Sequence, residues 1–416
     1  MDALIADPGL AEQGSRKIEW AEAWMPVLGL VRDRLREEGA VDGRRIGVIL
    51  PVEPKTAYLA AMLAEVGAEV AVAFQGAMVH DDVAAGLAAR GVAVFARRGS
   101  SREDELRFFE EVLARRPEVV IDDRADVIRL AHTTHPEVLE TLVGASEETT
   151  SGVVALRAME ADGTLRVPCI AANDARCKYL FDNRYGSGQS TVSAVMDSTN
   201  LLVAGKRFVL VGYGWVGKGI ARRARGLNAR VVVCEVDPFA ALEAHHDGFE
   251  VLPVREACRE ADIVMTATGV RGSLPPDAVD ELRDGALLAN AGGIDDEFDV
   301  VALRERALET REVRPGVEEL LLEEGRSVFV VGGGVVVNLS AGEGHPVEIM
   351  DLTFAVQALS ARYLLEHAAS MAPGVHPLPP EIDDEIARMK LEALGLRIDS
   401  LTDAQRRFLQ SWEAFA

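Results

Sequence analysis

The chain has 416 residues, 48% hydrophobic and 27% charged, with a formal net charge of −23. That length exceeds the usual size of one core and predicts two domains, and the composition is globular rather than disordered or fibrous. An acidic surface repels nucleic acid and anionic membranes, so neither is an expected partner, and no apolar run is long enough to span a bilayer.

The N-terminus, MDALIADPGLAEQGSRK, has no basic region followed by an apolar one and is not read as a signal peptide. Four cysteines (Cys169, Cys177, Cys234, Cys258) form no CxxC pair, which predicts reduced, mostly buried thiols in a cytoplasmic protein. From Gly43 to about Asp123, RIGVIL, TAYLAAMLAEVG, AEVAVAF, DDVAAGLAARG and VAVFARR alternate as β-α-β-α-β, and PEVVIDD adds a strand ending in carboxylates. Such alternation predicts a parallel sheet with helices on both faces, with ligands at the carboxyl ends of its strands. Pro51, Glu53, Gln75, Asp122 and Asp123 would lie there.

A second α/β unit starts near Lys206 with RFVLVG, GWVGKGIARRARGLN and ARVVVCEVD. ADIVMTAT, GALLANAG and SVFVVGG continue it as buried strands. The chain then reads as helix through GHPVEIMDLTFAVQALSARYLLEH, as a Pro-rich extended link through MAPGVHPLPPEI, and as an amphipathic helical tail from Asp383 to Ala416. The expected fold is α/β, two doubly wound parallel-sheet domains, the second a Rossmann domain inserted in the first. Its segments are 1–183 (substrate domain), 184–344 (dinucleotide domain), 345–380 (return segment) and 381–416 (tail).

Gly212, Gly214 and Gly217 form G-x-G-x-x-G between a predicted strand and a predicted helix. Glycines there permit a tight turn and let backbone amides approach a pyrophosphate at the helix N-terminus. Glu235 ends the next strand, where an acid accepts from the adenosine ribose and repels a 2′-phosphate. A glycine turn without cofactor is the bland alternative; strand, helix and acid together favour NAD. No metal site is predicted.

The blocks SEETTSG (146–152), NDARCKYLFDNRYGSGQST (173–191), GYGWVGKG (212–219), EVDP (235–238), VNLSAGEGHPVEIMDLTFA (337–355) and the LTDAQRRFL tail resemble the S-adenosylhomocysteine hydrolase family over nearly the whole chain. The short C-terminus and the GYGW loop look most like its thermophilic bacterial and archaeal branch. The resemblance implies transient NAD oxidation of a nucleoside at C3′, elimination at C5′, addition of water and return of the ketone to the alcohol, in a homo-oligomer (tetramer or dimer). It implies that Lys178, with a pKa lowered by burial near the positive nicotinamide, takes the 3′-hydroxyl proton. Asp182 and Glu148 would hold the ribose hydroxyls. Asp123 would lie near C4′ and C5′, and His345 near the adenine and the hinge, with Glu53, Met350 and Phe354 also lining the substrate site. Thr149, Thr150, Ser151, Asn183, Trp215, Val216, Asn290 and Asn338 would contact the cofactor. Taken alone, a Lys–Asp pair at i,i+4 is more often a solvated surface pair; the flanking blocks weigh against that.

Two family histidines are absent, replaced by Pro51 and Gly293, and neither replacement can move a proton. The IDDGGD block reads IDDRAD, with Arg124 and Ala125, and Gln75, Met78 and His80 replace small polar residues. Changed chemistry at C5′ is therefore expected. The favoured outcome is a dehydratase that makes a 4′,5′-unsaturated nucleoside of the angustmycin antibiotic type, with Glu53, His80 and Asp123 as candidate acids. The alternative is a hydrolase of S-adenosylhomocysteine or its inosyl analogue. An NAD-loaded regulatory subunit without turnover is a third possibility, opposed by the retained Lys178 and Asp182.

Overall fold

The computed structural model describes residues 3–412. One sheet contains β1 (Arg45–Val48), β2 (Glu69–Ala73), β3 (Ala93–Phe95), β4 (Val119–Asp122), β5 (Gly144–Glu147) and β6 (Pro168–Ala171). The other contains β7 (Arg207–Val211), β8 (Arg230–Cys234), β9 (Glu250–Val251), β10 (Ile263–Thr266), β11 (Ala286–Asn290), β12 (Glu309–Arg314), β13 (Val317–Leu321) and β14 (Ser327–Val331). The last strand, β15 (Gly374–Pro377), returns to the first sheet.

Strand order is β15-β6-β5-β4-β1-β2-β3 in the first sheet and β12-β13-β14-β11-β10-β7-β8-β9 in the second. In each, the winding direction reverses beside the first strand, between β1 and β4 and between β7 and β10. Loops diverge at such points and leave a crevice at the carboxyl ends of the strands. The central strands are buried on both faces and accordingly read as nearly continuous apolar runs, RFVLV, RVVVC, IVMT and ALLAN. All four cysteines are free and buried, as their spacing suggested.

Helix Val347–His367 lies across the first sheet and buries Met350, Leu352, Phe354, Val356 and Leu359. Asp351, fully buried in it, accepts from the backbone N–H of Val27 and Leu28 and from Lys390 Nζ. One carboxylate thus caps helix Pro26–Glu38 and ties helix Pro380–Ala393 to the same core. Gly188 and Gly219 let two helices cross with almost no separation: a Cβ on Gly219 would lie 1.9 Å from the Arg184 carbonyl oxygen. That crossing seats the dinucleotide helix Trp215–Gly226 directly on the segment after Lys178.

Three elements differ from expectation. The Pro-rich link contains β15, paired in parallel with β6 at the sheet edge, where proline removes no interior hydrogen bond. Strands β12 and β13 form an antiparallel hairpin whose charged residues hide the strand pattern, and β12 is exposed along its length. The tail is two helices, Pro380–Ala393 and Asp403–Gln410, separated after left-handed Gly395; residues 413–416 lie outside the described residues. No described helix is long and apolar enough to cross a membrane.

Candidate active site

Residues 179–186 form a π-helix, which widens the turn behind Lys178. Lys178 is buried, and its Nζ donates to Asp182 Oδ1 at 3.2 Å and Asn183 Oδ1 at 2.8 Å, with Glu148 Oε1 at 3.6 Å. Asp182 Oδ2 accepts from Thr353 Oγ1 at 2.9 Å, and the His345 ring approaches Oδ1, the oxygen that Lys178 also uses, with Nδ1 3.5 Å away. His345 Nε2 lies 3.0 Å from Ser187 Oγ, which fixes the ring at the hinge. Gln357 donates to Glu148 Oε2 and accepts from Ser146 Oγ. Thus Lys178, Asp182, Glu148, Asn183 and His345 do converge.

Burial lowers the Lys178 pKa, but the Asp182 carboxylate and, where it is ionised, that of Glu148 outweigh burial and raise it; the nicotinamide charge that the resemblance invokes would act the other way. Asp182 stays low: burial raises it, and Lys178 and His345 overcome that. Burial pushes Glu148 up to about 8, with Lys178 opposing and Asp182 reinforcing the shift. At neutral pH the cluster therefore holds one cation, one anion and one neutral carboxyl.

The glycine loop has the geometry a dinucleotide requires. Gly212 is left-handed (φ +101°), and a Cβ there would lie 2.8 Å from the Ala267 carbonyl oxygen, on the loop after β10. A Cβ on Gly217 would lie 2.1 Å from the Gly212 carbonyl oxygen, whereas Gly214 faces open space. Trp215 and Val216 begin the helix, and the Trp215 ring packs on Tyr179 with centroids 5.0 Å apart. Glu235 accepts from the backbone N–H of Tyr213, Val236 and Asp237, so its carboxylate is pinned beside the loop. Asn338 donates to Ser190 Oγ, while its buried Oδ1 has no partner, an acceptor suited to a carboxamide donor. These residues fit NAD. Thr149 caps helix Thr150–Ala161; Ser151 Oγ reaches Thr149, and Thr150 Oγ1 reaches Asn173. Asn290 is engaged elsewhere: both its amide donors go to the carbonyls of Ile294 and Gly334, shaping the loop after β11.

The other half of the crevice lies between β1 and β4. Pro51 is half-buried after β1, and Gly293, on the loop after β11, comes close enough to the first domain that a Cβ would lie 3.3 Å from Ser151 Oγ. Asp123 is buried with Oδ1 unpartnered, and burial pushes its pKa up to about 6 against the pull of Arg124. Arg124 and Ala125 are consecutive left-handed residues (φ 61° and 54°), a conformation costing about 1–2 kcal/mol per non-glycine residue. Glu147 holds them there by accepting from both backbone N–H groups. Two candidate acids are engaged elsewhere. Glu53 caps helix Pro54–Glu65 and pairs with Lys55 Nζ at 2.5 Å. His80 leads into helix Asp81–Ala89, its pKa lowered by burial. Met350 and Phe354 belong to the first domain's core. Thr353, Gln357 and Ser187 had gone unread, since each lies on a helix whose pattern reports only burial. A cavity of about 680 Å³ lies at the opposite edge of the first sheet, lined by Arg45, Glu69 and Ala93, away from these groups.

Comparisons with known proteins agree with this geometry. Residues 2–138 match the family model described as S-adenosyl-L-homocysteine hydrolase, and residues 183–344 match its NAD binding domain. The chain is 49% identical over 401 residues to an adenosylhomocysteinase of Thermotoga maritima, covering 96% of this chain and 99% of that protein. It is 47% identical to an S-inosyl-L-homocysteine hydrolase of Methanopyrus kandleri (98% and 97% covered) and 48% identical to an adenosylhomocysteinase of Pyrococcus abyssi (99% and 98%). With the cofactor loop, the buried Lys178 cluster and matches of this length, the chain belongs to the NAD-dependent S-adenosyl-L-homocysteine hydrolase family.

Proposed function

We propose that this protein hydrolyses a purine-nucleoside thioether, S-adenosylhomocysteine or S-inosylhomocysteine, through transient oxidation of the ribose. The observation carrying this is the combination of a fully assembled Lys178 cluster with a buried Asp123 after β4 whose Oδ1 has no partner, in a chain with Pro51 and Gly293 where the resemblance expects histidines. NAD, held by the Gly212–Gly217 loop with Glu235 and Asn338, supplies reversible oxidation of the C3′ alcohol. Lys178 donates to Asp182 and Asn183 and has a third position for the C3′ oxygen; as C3′ is oxidised it passes a proton to Asp182 and takes up the 3′-hydroxyl proton, while Glu148 holds the neighbouring hydroxyl. With C3′ a ketone, the C4′ hydrogen is acidic. Asp123, with a pKa of about 6, is ionised at pH 7 and takes that proton as a base.

The C4′–H electron pair becomes the C4′=C5′ double bond, and the C5′–S pair leaves with sulfur. A thiol pKa of about 8.5 lets sulfur depart as thiolate without an acid. Hydroxide, the conjugate base of water at about 15.7, leaves only with a proton donor, and by microscopic reversibility water adds only where a base takes its proton; with Pro51 and Gly293 in place of histidines, the departed thiolate is the group that serves in hydrolysis. Water then adds to C5′ and loses its proton to the thiolate, which departs as the thiol; Asp123 returns its proton to C4′, and the ketone is reduced back to the alcohol.

Loss of water from a 5′-hydroxy nucleoside, giving a 4′,5′-unsaturated product, is the second possibility. One observation favours it: Pro51 stands where the family resemblance expects a histidine by the ribose 5′ end, and Gly293 where it expects one beside the ribose and nicotinamide. Incubating NAD-replete protein with each thioether and assaying free thiol decides between them. Prompt homocysteine release supports hydrolysis. No thiol, with mass loss of one water from a 5′-hydroxy nucleoside, supports dehydration instead. A homo-oligomer belongs to the same proposal, supported by the exposed Val236, Phe239 and Leu242 on the dinucleotide domain, and sedimentation tests it.

A further inference from the structure

Arg124 projects from the loop after β4 in the first domain, and Asp295 from the loop after β11 in the second. Arg124 Nη1 lies 3.7 Å from Asp295 Oδ2, so the pair spans the crevice next to Asp123. Each loop is rigidly tied. Glu147 accepts from the backbone of residues 124 and 125, and Asp122 from that of residues 127 and 128. On the far side, Asn290 holds the Ile294 carbonyl, and Glu297, fully buried, accepts from the N–H groups of Thr268 and Gly269. Asp126 lies 3.6 Å from Arg124 on the same domain and is itself held by Gln75 and Arg129. The guanidinium is 15% exposed, and burial, which lowers its pKa, is outweighed by Asp123, Asp126 and Asp295. Two consecutive left-handed residues are sustained to present this side chain, and such strain persists where surrounding contacts over-determine it.

We propose that Arg124 and Asp295 form a cross-crevice ion pair that positions the Asp123 loop and holds the two domains closed over the 5′ end of the nucleoside. Both are positioning residues. The pair is anchored at both ends and partly shielded from water, unlike a surface ion pair between mobile side chains. Arg124 also acts on Asp123 through charge, so its removal leaves Asp123 harder to ionise.

The proposal rests on a nucleoside binding in this crevice, so its first test needs no chemistry. In the NAD-replete holoenzyme, Asp295→Asn should speed amide hydrogen exchange in residues 123–126, which belong to the other domain. Unchanged exchange there overturns the pair, whatever reaction the protein catalyses. The second test is a double-mutant cycle on adenosine affinity with Arg124→Met and Asp295→Asn. Each single variant should weaken binding by about fivefold, and the double variant no more than the weaker single. Additive losses overturn the proposal. Asp295→Asn is a conservative change on a partly exposed loop, which keeps the test open if Arg124→Met folds poorly. Arg124→Met should also move the acid limb of turnover to higher pH, and Arg124→Lys should restore it; a merely structural role leaves that limb in place. Adenosine that does not bind the wild-type protein would count against the hydrolase proposal alone.

Discussion

The two halves of the crevice are built to different standards. Around Lys178 each polar group has a partner: Asp182 is held by three side chains, Glu148 by Gln357, and Asn183 by Lys178 and Asn173. Around the expected C5′ position, Asp123 Oδ1, Arg124 Nε and Asp295 Oδ1 are buried without partners, and the loop that carries two of them is left-handed at two residues. Unpaired buried polar atoms cost free energy and are kept where a ligand completes them. One half thus constrains a reaction step tightly, while the other leaves room for different groups at C5′. On the proposed mechanism, the closed network serves oxidation at C3′ and the open one meets the group that departs from C5′.

Breaking the closed half should have the largest effect. Lys178→Met removes the donor aimed at C3′ and leaves Asp182 an unpaired buried carboxylate. Turnover should fall by about 10²–10⁴-fold or more, and adenosine should no longer generate the NADH absorbance band. A band of normal size would detach Lys178 from the oxidation step. Asp123→Asn should be nearly as damaging to homocysteine release, by about 10²–10⁴-fold, while leaving NADH formation from adenosine intact. The sign of its pH dependence follows from its role. A base with a pKa of about 6 is lost as pH falls through that value, so wild-type turnover should drop below about pH 6. If the limb lies on the alkaline side instead, Asp123 serves as an acid.

What could be read from sequence divides along the same line. The glycine spacing and Glu235 were legible because a phosphate-binding turn is a local object with local requirements. The Lys178–Asp182 contact was legible because i,i+4 residues are neighbours on any helix, even one that proves to be a π-helix. Thr353 and Gln357 were not, since they reach the site from a helix about 170 residues away whose buried pattern looks like plain core. Gln75, expected at the carboxyl end of its strand, follows β2 and hydrogen-bonds Asp126, a partner that chain position does not reveal. For the Lys178 pKa, the sequence suggests burial, while the carboxylates that raise it are brought alongside only by the fold.

The open half should tolerate reconstruction. Gly293 has only Ser151 near its Cβ position, and Pro51 is half-buried at the end of β1, so side chains can be accommodated at both. The double variant Pro51→His/Gly293→His should raise homocysteine release by about tenfold or more, short of the full value of one acid–base group. No gain in thiol release, with water loss detected from a 5′-hydroxy nucleoside, would move the assignment toward dehydration.

The smallest effect should come from a residue inside the closed half. Burial holds Glu148 near a pKa of about 8, so at pH 7 its carboxyl is mostly protonated and neutral. Glutamine is then a close isostere: Gln357 still finds an acceptor, and Lys178 loses no ion pair that was fully formed. Glu148→Gln should change kcat/KM by no more than about threefold at pH 7, a fraction of one pKa unit in free energy. Above about pH 8 the wild-type carboxyl ionises, adds a second negative charge beside Lys178 and strengthens its hold on its proton. Wild-type turnover should therefore decline relative to the variant as pH rises through that value. A hundredfold loss at pH 7 would mean the reverse: Glu148 is ionised there, paired with Lys178 across 3.6 Å, and the closed half carries two anions rather than one.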